Sequence, residues 1–223
     1  MTSALLYAGL FLFLWYDYFM EEKIKTIKNW LGTGSINIFG LPMSGKDTQG
    51  IRLAKTLNAK FLSSGIIIRA IENESGQNYS GGGNLIPTNL FYDWVLPYFE
   101  REDLRNSGLV LSSIGRWEGE EDEVMARAEK SGHKILAAIV LNISEADVLR
   151  RFETAKSLND RGTREDDKNT EIFNVRLKEF REKTLPVLKH YKNLGLLIEV
   201  NGDQTREAVF NEIVEKLFEK ASK

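Results

Sequence analysis

One stretch constrains this chain more than any other. The apolar run SINIF (Ser35–Phe39) passes without a break into GLPMSGKDTQG, where Gly40 and Gly45 frame four residues and Lys46 follows. A glycine-framed turn that leaves a buried strand and opens a helix is the context a phosphate-binding loop requires. Gly40 permits the tight turn. The backbone N–H groups from Met43 through Ser44 to Thr48 add to the positive end of the following helix. Lys46 supplies a positive charge for β/γ-phosphates. The strict motif has Ser or Thr directly after the lysine; here Asp47 stands there and Thr48 comes one residue later. Without a strand and a helix on its two sides, the same segment would be an ordinary glycine-rich turn.

The rest of the chain supplies that context. GLVLSS (Gly108–Ser113), KILAAIVLNI (Lys134–Ile143) and GLLIEV (Gly195–Val200) read as buried strands, and Lys60–Leu62 as a shorter fifth. Between them lie helical patterns over 45–57, 88–100, 144–156, 171–191 and 205–219. The alternation predicts an α/β fold with a parallel five-stranded sheet flanked by helices. Two polar stretches, 72–84 and 153–169, read either as plain flexible loops or as flaps over a site at the carboxyl ends of the strands.

Composition removes whole classes of chemistry. The chain has no cysteine and two histidines, so disulfides, thiol catalysis and a multi-histidine metal site are excluded. Thirty basic against 32 acidic residues give a net charge of −2, which argues against nucleic acid as a partner. His133 reads as a solvated turn residue before a strand. His190, late in a long helical pattern, suits the negative end of a helix dipole. Phe91, Tyr92, Trp94, Tyr98 and Phe99 read as core or groove wall rather than a base-stacking platform.

Residues 4–16 carry no charge, and the charged run from Glu21 follows closely. The segment is short for a membrane span, which needs about 20 apolar residues. It lacks the basic start and the cleavage site of a secretory signal. Two readings stay open: an N-terminal anchor through residues 4–20 that keeps the rest on the cytoplasmic side, or a leader preceding a start at Met20. Either way the chemistry is expected in the cytoplasm. Residues 1–34 are expected to be leader or anchor plus linker, and 35–223 the functional domain.

Arg69, Arg116, Arg150, Arg161, Arg164 and Arg176 all fall near predicted strand ends or flap boundaries. Phosphoryl transfer asks the protein for positioning and charge neutralisation, and the planar guanidinium grips phosphate bidentately. Any single one of these arginines could be a surface ion pair; six beside a phosphate loop point to phosphate chemistry.

Taken together, these stretches resemble the adenylate kinase family of nucleoside monophosphate kinases, in its short-lid form without zinc, over about Ser35 to Leu217. GLPMSGKDTQ resembles the family's Gly-x-Pro-Gly-Ser-Gly-Lys-Gly-Thr-Gln, with Met43 and Asp47 in place of two glycines. SGIIIR (Ser64–Arg69) resembles Thr-Gly-Asp-x-x-Arg, with Ile66 in place of the Asp. Leu85-Ile86-Pro87 resembles Leu-Val-Pro. SSIGR (Ser112–Arg116) resembles Asp-Gly-x-Pro-Arg, with Ser112 and Gly115 in place of Asp and Pro. GTREDDKNTEIFNVRL resembles Gly-Arg-x-Asp-Asp…Arg-Leu.

The resemblance implies transfer of the γ-phosphoryl group of ATP, carried with Mg²⁺, to a nucleoside monophosphate by a monomer. Mg²⁺ would have no direct protein ligand. Gly40, Met43, Ser44, Gly45, Lys46, Asp47, Thr48 and Arg150 would hold ATP. Ser64, Gly65, Arg69, Leu85 and Ile86, in a flap at about 64–93, would hold the acceptor together with Arg116, Glu120, Arg164 and Arg176. Arg150, Arg164 and Arg176 would close with a lid at about 151–165, their guanidinium groups oriented by Asp166 and Asp167. In the family an Asp at the position of Ser112 helps hold the hydrated magnesium, and Asp47 would restore a carboxylate there. AMP is the implied acceptor, with a CMP/UMP- or GMP-type kinase, or a weakly catalytic nucleotide-binding regulator, as alternatives. Glu120, four residues after Arg116, falls where the family reads the acceptor base with Gln. It either accepts N–H groups from that base or belongs to the acidic run EGEEDE and faces water.

Overall fold

The structure is a computed structural model that describes residues 18–158 and 169–223. Five strands pair in parallel: β1 (Ser35–Gly40), β2 (Lys60–Ser63), β3 (Leu109–Ser112), β4 (Ile135–Asn142) and β5 (Leu197–Asn201), in the order β2-β3-β1-β4-β5. The central strand β1 is buried at every residue, as parallel strands covered on both faces must be. Its register against β3 brings Ile38 beside Ser112.

Side chains alternate across the sheet into two cores. On one face Ile36 and Ile38 pack with Leu53 and Leu57 of α2 (Lys46–Leu57) and with Val209, Ile213 and Leu217 of α9 (Arg206–Ala221). On the other, Phe39 and Val140 meet α3 (Ser64–Ser75), α4 (Thr88–Trp94), α5 (Glu120–Lys130), α6 (Glu145–Leu158), α7 (Thr170–Glu179) and α8 (Leu185–Asn193). The α/β fold and its five parallel strands are thus as the sequence predicts.

Several local expectations are corrected. The helix expected over 88–100 ends at Trp94 and continues as a 3₁₀ turn, Leu96–Glu100; Pro97 has no N–H to continue an α-helix. The helix expected over 171–191 is two helices joined by a π-turn, Phe180–Thr184, ahead of Pro186. The helix expected over 144–156 runs on to Leu158 as α6, into the polar stretch expected from 153 and the lid expected from about 151. His133 is not solvated: it is 2% exposed, its Nδ1 donates to the Thr33 carbonyl at 2.9 Å, and its carbonyl accepts from Ser35 Oγ at 2.8 Å. It ties the entry of β4 to the entry of β1. His190 lies in the last turn of α8 and pairs with Asp122.

The domain boundary expected at residue 35 also moves. A helix over residues 18–31, α1, buries Ile27 and Leu31 in the core shared with α2 and α9, and Lys23 pairs with Glu215. No described helix is long and apolar enough to cross a membrane; residues 4–17 of the apolar stretch lie outside the described residues. A chain starting at Met20 keeps Ile27 and Leu31, whereas one starting at Ser35 loses both, worth about 1.5–3 kcal/mol each, and should unfold at a clearly lower denaturant concentration than the Met20 chain.

Candidate active site

β1 delivers its last residue to the crevice at the carboxyl ends of the strands, where ligands of open parallel sheets bind. The turn that follows is close-packed. A Cβ on Gly40 would come within 2.5 Å of Ser44 Oγ, so glycine is the residue that fits. Gly45 caps α2 at φ 89 and offers no side chain to the first N–H groups of the helix, which also have no partner within the helix. The Ser44 N–H is spent on the Leu41 carbonyl at 3.1 Å, a correction to the expectation that the N–H groups from Met43 through Ser44 to Thr48 act together at the positive end of the helix. Met43 stands at φ 64, a left-handed conformation that costs a side-chain-bearing residue about 1–3 kcal/mol.

Opposite the loop, a second turn carries Arg116. Asn37, fully buried in β1, donates from Nδ2 to the Ile114 carbonyl at 2.7 Å and accepts from the Ile114 N–H at 3.3 Å. Ser64 Oγ donates to the Ser113 carbonyl at 2.7 Å. Ser113, at φ 53, is held in its left-handed conformation by these bonds. The Arg116 side chain reaches a cavity lined also by Lys46, Asp47, Arg69 and Arg176. Its Nε is buried without a hydrogen-bond partner. Burial first, and then the nearby charge of Arg176, push its pKa down to about 10, against the pull of Glu179, Glu120 and Asp47. Arg116 therefore remains cationic at neutral pH. Cations gathered around an orphaned donor form a site for a multiply charged anion.

Three buried carboxylates hold the next wall. Glu72 accepts from the N–H and the hydroxyl of Ser80, at 2.7 and 2.6 Å. Glu179 accepts from the Leu85 N–H at 2.9 Å and from Lys183 at 2.8 Å. Glu120 accepts from the N–H groups of Arg116 and Trp117, both at 3.0 Å, and from the Thr88 hydroxyl at 2.9 Å. Of the two readings left open for Glu120, the water-facing one falls: the residue is 4% exposed. Burial pushes its pKa up, opposed by the donors from Trp117, Arg116 and Thr88. Of these residues, Glu120, Ser80, Leu85 and Arg116 bound a second cavity with Ile86, Phe91, Gly65 and Ser64.

A third cavity, of about 530 Å³, opens on the far side of the loop between Thr48, Arg150, Arg151 and Gly202. Arg150 is at its edge but turned outward: its side chain is 70% exposed and bonded to Asp147 at 2.9 Å. Its neighbour Arg151, which the sequence reading passed over, donates to the Gly202 carbonyl at 2.9 Å and to the Met43 and Ser44 carbonyls at 3.5 and 3.4 Å. Adjacent residues of a helix point about 100° apart, so one member of the doublet can reach the loop while the other faces water, and the doublet was the available signal. The three cavities share walls: the first and second share Arg69, Arg116 and Arg176, the first and third share Met43, Gly45 and Thr48. Arg161, Arg164, Asp166 and Asp167 lie outside the described residues.

For a metal, the first cavity offers oxygen donors: the Asp47 carboxylate and the hydroxyls of Thr48 and Ser112. Magnesium keeps several waters and takes one or two carboxylates plus substrate phosphates, and this donor set fits it. No group of three or more His, Asp or Glu able to hold a metal occurs among the described residues.

The bonding of Glu120 generates a stability prediction. Glu120→Ala leaves the N–H groups of Arg116 and Trp117 buried without an acceptor, at a cost of about 1–3 kcal/mol. Glu120→Gln keeps an oxygen for both and offers its amide N–H to Thr88 Oγ1, so it should lose far less. Urea unfolding of the two variants checks the difference.

No family model matches the chain. Known adenylate kinases do. The adenylate kinase of Agrobacterium fabrum (strain C58) is 30% identical over 191 residues, covering 82% of this chain and 96% of its own length. Adenylate kinase 2 of Nostoc sp. (strain PCC 7120) is 30% identical over 186 residues, 81% of this chain and 96% of its own. The adenylate kinase of Azobacteroides pseudotrichonymphae is 29% identical over 189 residues, 82% and 96%. Similarity that spans nearly the full length of these enzymes, on a parallel sheet that opens its crevice at a glycine-framed lysine loop, means that the chain belongs to the adenylate kinase family and is a nucleoside monophosphate kinase.

Proposed function

We propose that the chain transfers the γ-phosphoryl group of ATP to AMP, giving two ADP. One observation carries this reading: three cavities in a row, with Lys46 in the middle one and Arg69, Arg116 and Arg176 on the wall it shares with the second. That arrangement suits a donor base beyond the loop, two sets of phosphates meeting in the middle, and an acceptor base at the far end.

An acceptor phosphate oxygen attacks the γ-phosphorus while the bond to the β-phosphate oxygen breaks; no covalent enzyme intermediate is required. Lys46, with Gly40, Met43, Ser44, Gly45, Asp47 and Thr48 around it, holds the donor phosphates, and Arg150 and Arg151 flank the donor base. Arg69 and Arg116 grip the acceptor phosphate, and Arg176 neutralises the group in transfer. Hydrated magnesium, when bound, neutralises charge developing on the β- and γ-oxygens, and Asp47, Thr48 and Ser112 would face it. Residues 64–93 act as an acceptor flap and 151–165 as part of a lid, with Arg164, Asp166 and Asp167 in the family's roles. Closure excludes water and suppresses ATP hydrolysis. The protein works as a cytoplasmic monomer.

Glu120 supports an amino-bearing acceptor base. An ionised carboxylate accepts hydrogen bonds and donates none, so adenine suits it and uracil or thymine would set a carbonyl against it. A coupled assay with AMP, CMP, UMP, GMP and dTMP tests the reading: AMP should give the highest kcat/KM, and a clear preference for another monophosphate overturns AMP as the substrate. Lys46→Met should cost on the order of 10²-fold or more in kcat with the unfolding midpoint unchanged. Near-normal turnover would remove Lys46 from the machinery.

A further inference from the structure

The wall of the third cavity holds a polar atom with no work to do inside the protein. Gln49, in the first turn of α2 just past the lysine loop, is 4% exposed. Its Nε2 donates to the Arg206 carbonyl, at the start of α9, at 2.8 Å. That bond fixes which way the amide points, because a flipped amide would set oxygen against oxygen. Oε1 is thereby left buried without a hydrogen-bond partner, a state that is costly to keep. Gln49 lines the cavity of about 530 Å³ together with Thr48, Arg151, Gly202, Thr205 and Arg206. The carbonyls of Met43, Ser44 and Gly202 on the same wall already accept from Arg151.

We infer that Gln49 is a specificity-determining residue for the phosphoryl donor: its Oε1 accepts the exocyclic amine of adenine and so selects ATP over triphosphates with a carbonyl at that ring position. The inference rests on the phosphoryl-transfer reading above and deepens it by naming the group that distinguishes the donor base. The chemistry is a matter of sign. Adenine presents an N–H₂ donor where guanine presents a carbonyl oxygen. The amine brings a hydrogen to the orphaned oxygen and satisfies it. A carbonyl sets a second acceptor against it and leaves both unpaired, which is how polar sites reject the wrong ligand more strongly than apolar ones do. Oε1 is covered by its surroundings, and the same wall carries Arg206, whose long exposed side chain can swing aside to admit the base.

The competing reading is that Gln49 is only a strut, tying α2 to α9 through the Arg206 carbonyl. Initial rates at saturating AMP with magnesium separate the two when the donor is ATP, purine riboside triphosphate (hydrogen in place of the amine) or ITP (a carbonyl in its place). Wild-type kcat/KM should fall in that order, with ATP about 10-fold or more above ITP. Gln49→Met removes both ends of the amide and should lower the ATP-to-ITP ratio about 5-fold or more. Gln49→Glu gives up the bond to Arg206 but keeps an acceptor, and should retain the preference for ATP. Thermal unfolding of each variant shows that it is folded. A ratio unchanged in Gln49→Met assigns the amine to another group and overturns the inference. A ratio lost as fully in Gln49→Glu as in Gln49→Met makes the amide a strut and overturns it too. The wild-type series needs no variant: ITP used as well as ATP is enough to overturn the inference, while the phosphoryl-transfer reading stands. Wild-type protein that transfers from none of the three donors overturns that reading, and this inference with it.

Discussion

A single amide at the centre of the sheet determines where the crevice can be. Asn37 is fully buried, and an amide in that position is costly unless both its ends are bonded. Its two bonds go to the N–H and the carbonyl of the same residue, Ile114. The strand that launches the lysine loop is thereby fastened to the turn that launches Arg116. The distance between the two principal cations of the site, and with it the span available to an anion, is set by this internal bond rather than by surface loops.

Around that axis the protein uses buried carboxylates as fasteners for backbone. Glu72, Glu120 and Glu179 each give oxygens to N–H groups of the wall, and each lies close to cations or polar groups of the crevice. Such a wall keeps its shape in the empty protein, so less ordering is left to be done when a ligand arrives. Glu120 and Glu179 also temper the mutual repulsion of Arg116 and Arg176.

Much of this was legible in the sequence, and the limits have physical causes. Continuous apolar runs such as Lys134–Ile143 announce buried parallel strands, and Gly40, Gly45 and Lys46 announce the loop, because both signals are local. The failures concern residues whose meaning is tertiary. EGEEDE looks like a solvated face, yet Glu120 and Glu121 are buried because the start of α5 turns back on the Arg116 turn. His133 looks like a turn residue until Thr33 is brought beside it. Arg150 and Arg151 are neighbours in sequence, and only the phase of α6 against the loop decides which one reaches it. Ile27 and Leu31 lie in a charged stretch whose short apolar stripe finds its partners in α9, almost 200 residues away.

The π-turn between α7 and α8 has a consequence of a different kind. Each residue of an α-helix advances the side chains by about 100°, and the wide turn Phe180–Thr184 takes one residue more than a regular turn would. That extra residue works as a phase adjuster. Ahead of it, Arg176 lines the crevice and Glu179 holds its wall at Leu85; after it, Val187, Leu188 and Tyr191 join the core. A regular helix would hold both sets on one rigid screw and could satisfy one at the expense of the other. Chain length inside this turn is therefore under tighter control than its exposed residue types: Arg181 and Glu182 can vary in chemistry, whereas a one-residue deletion would rotate the charged face and the apolar face out of step.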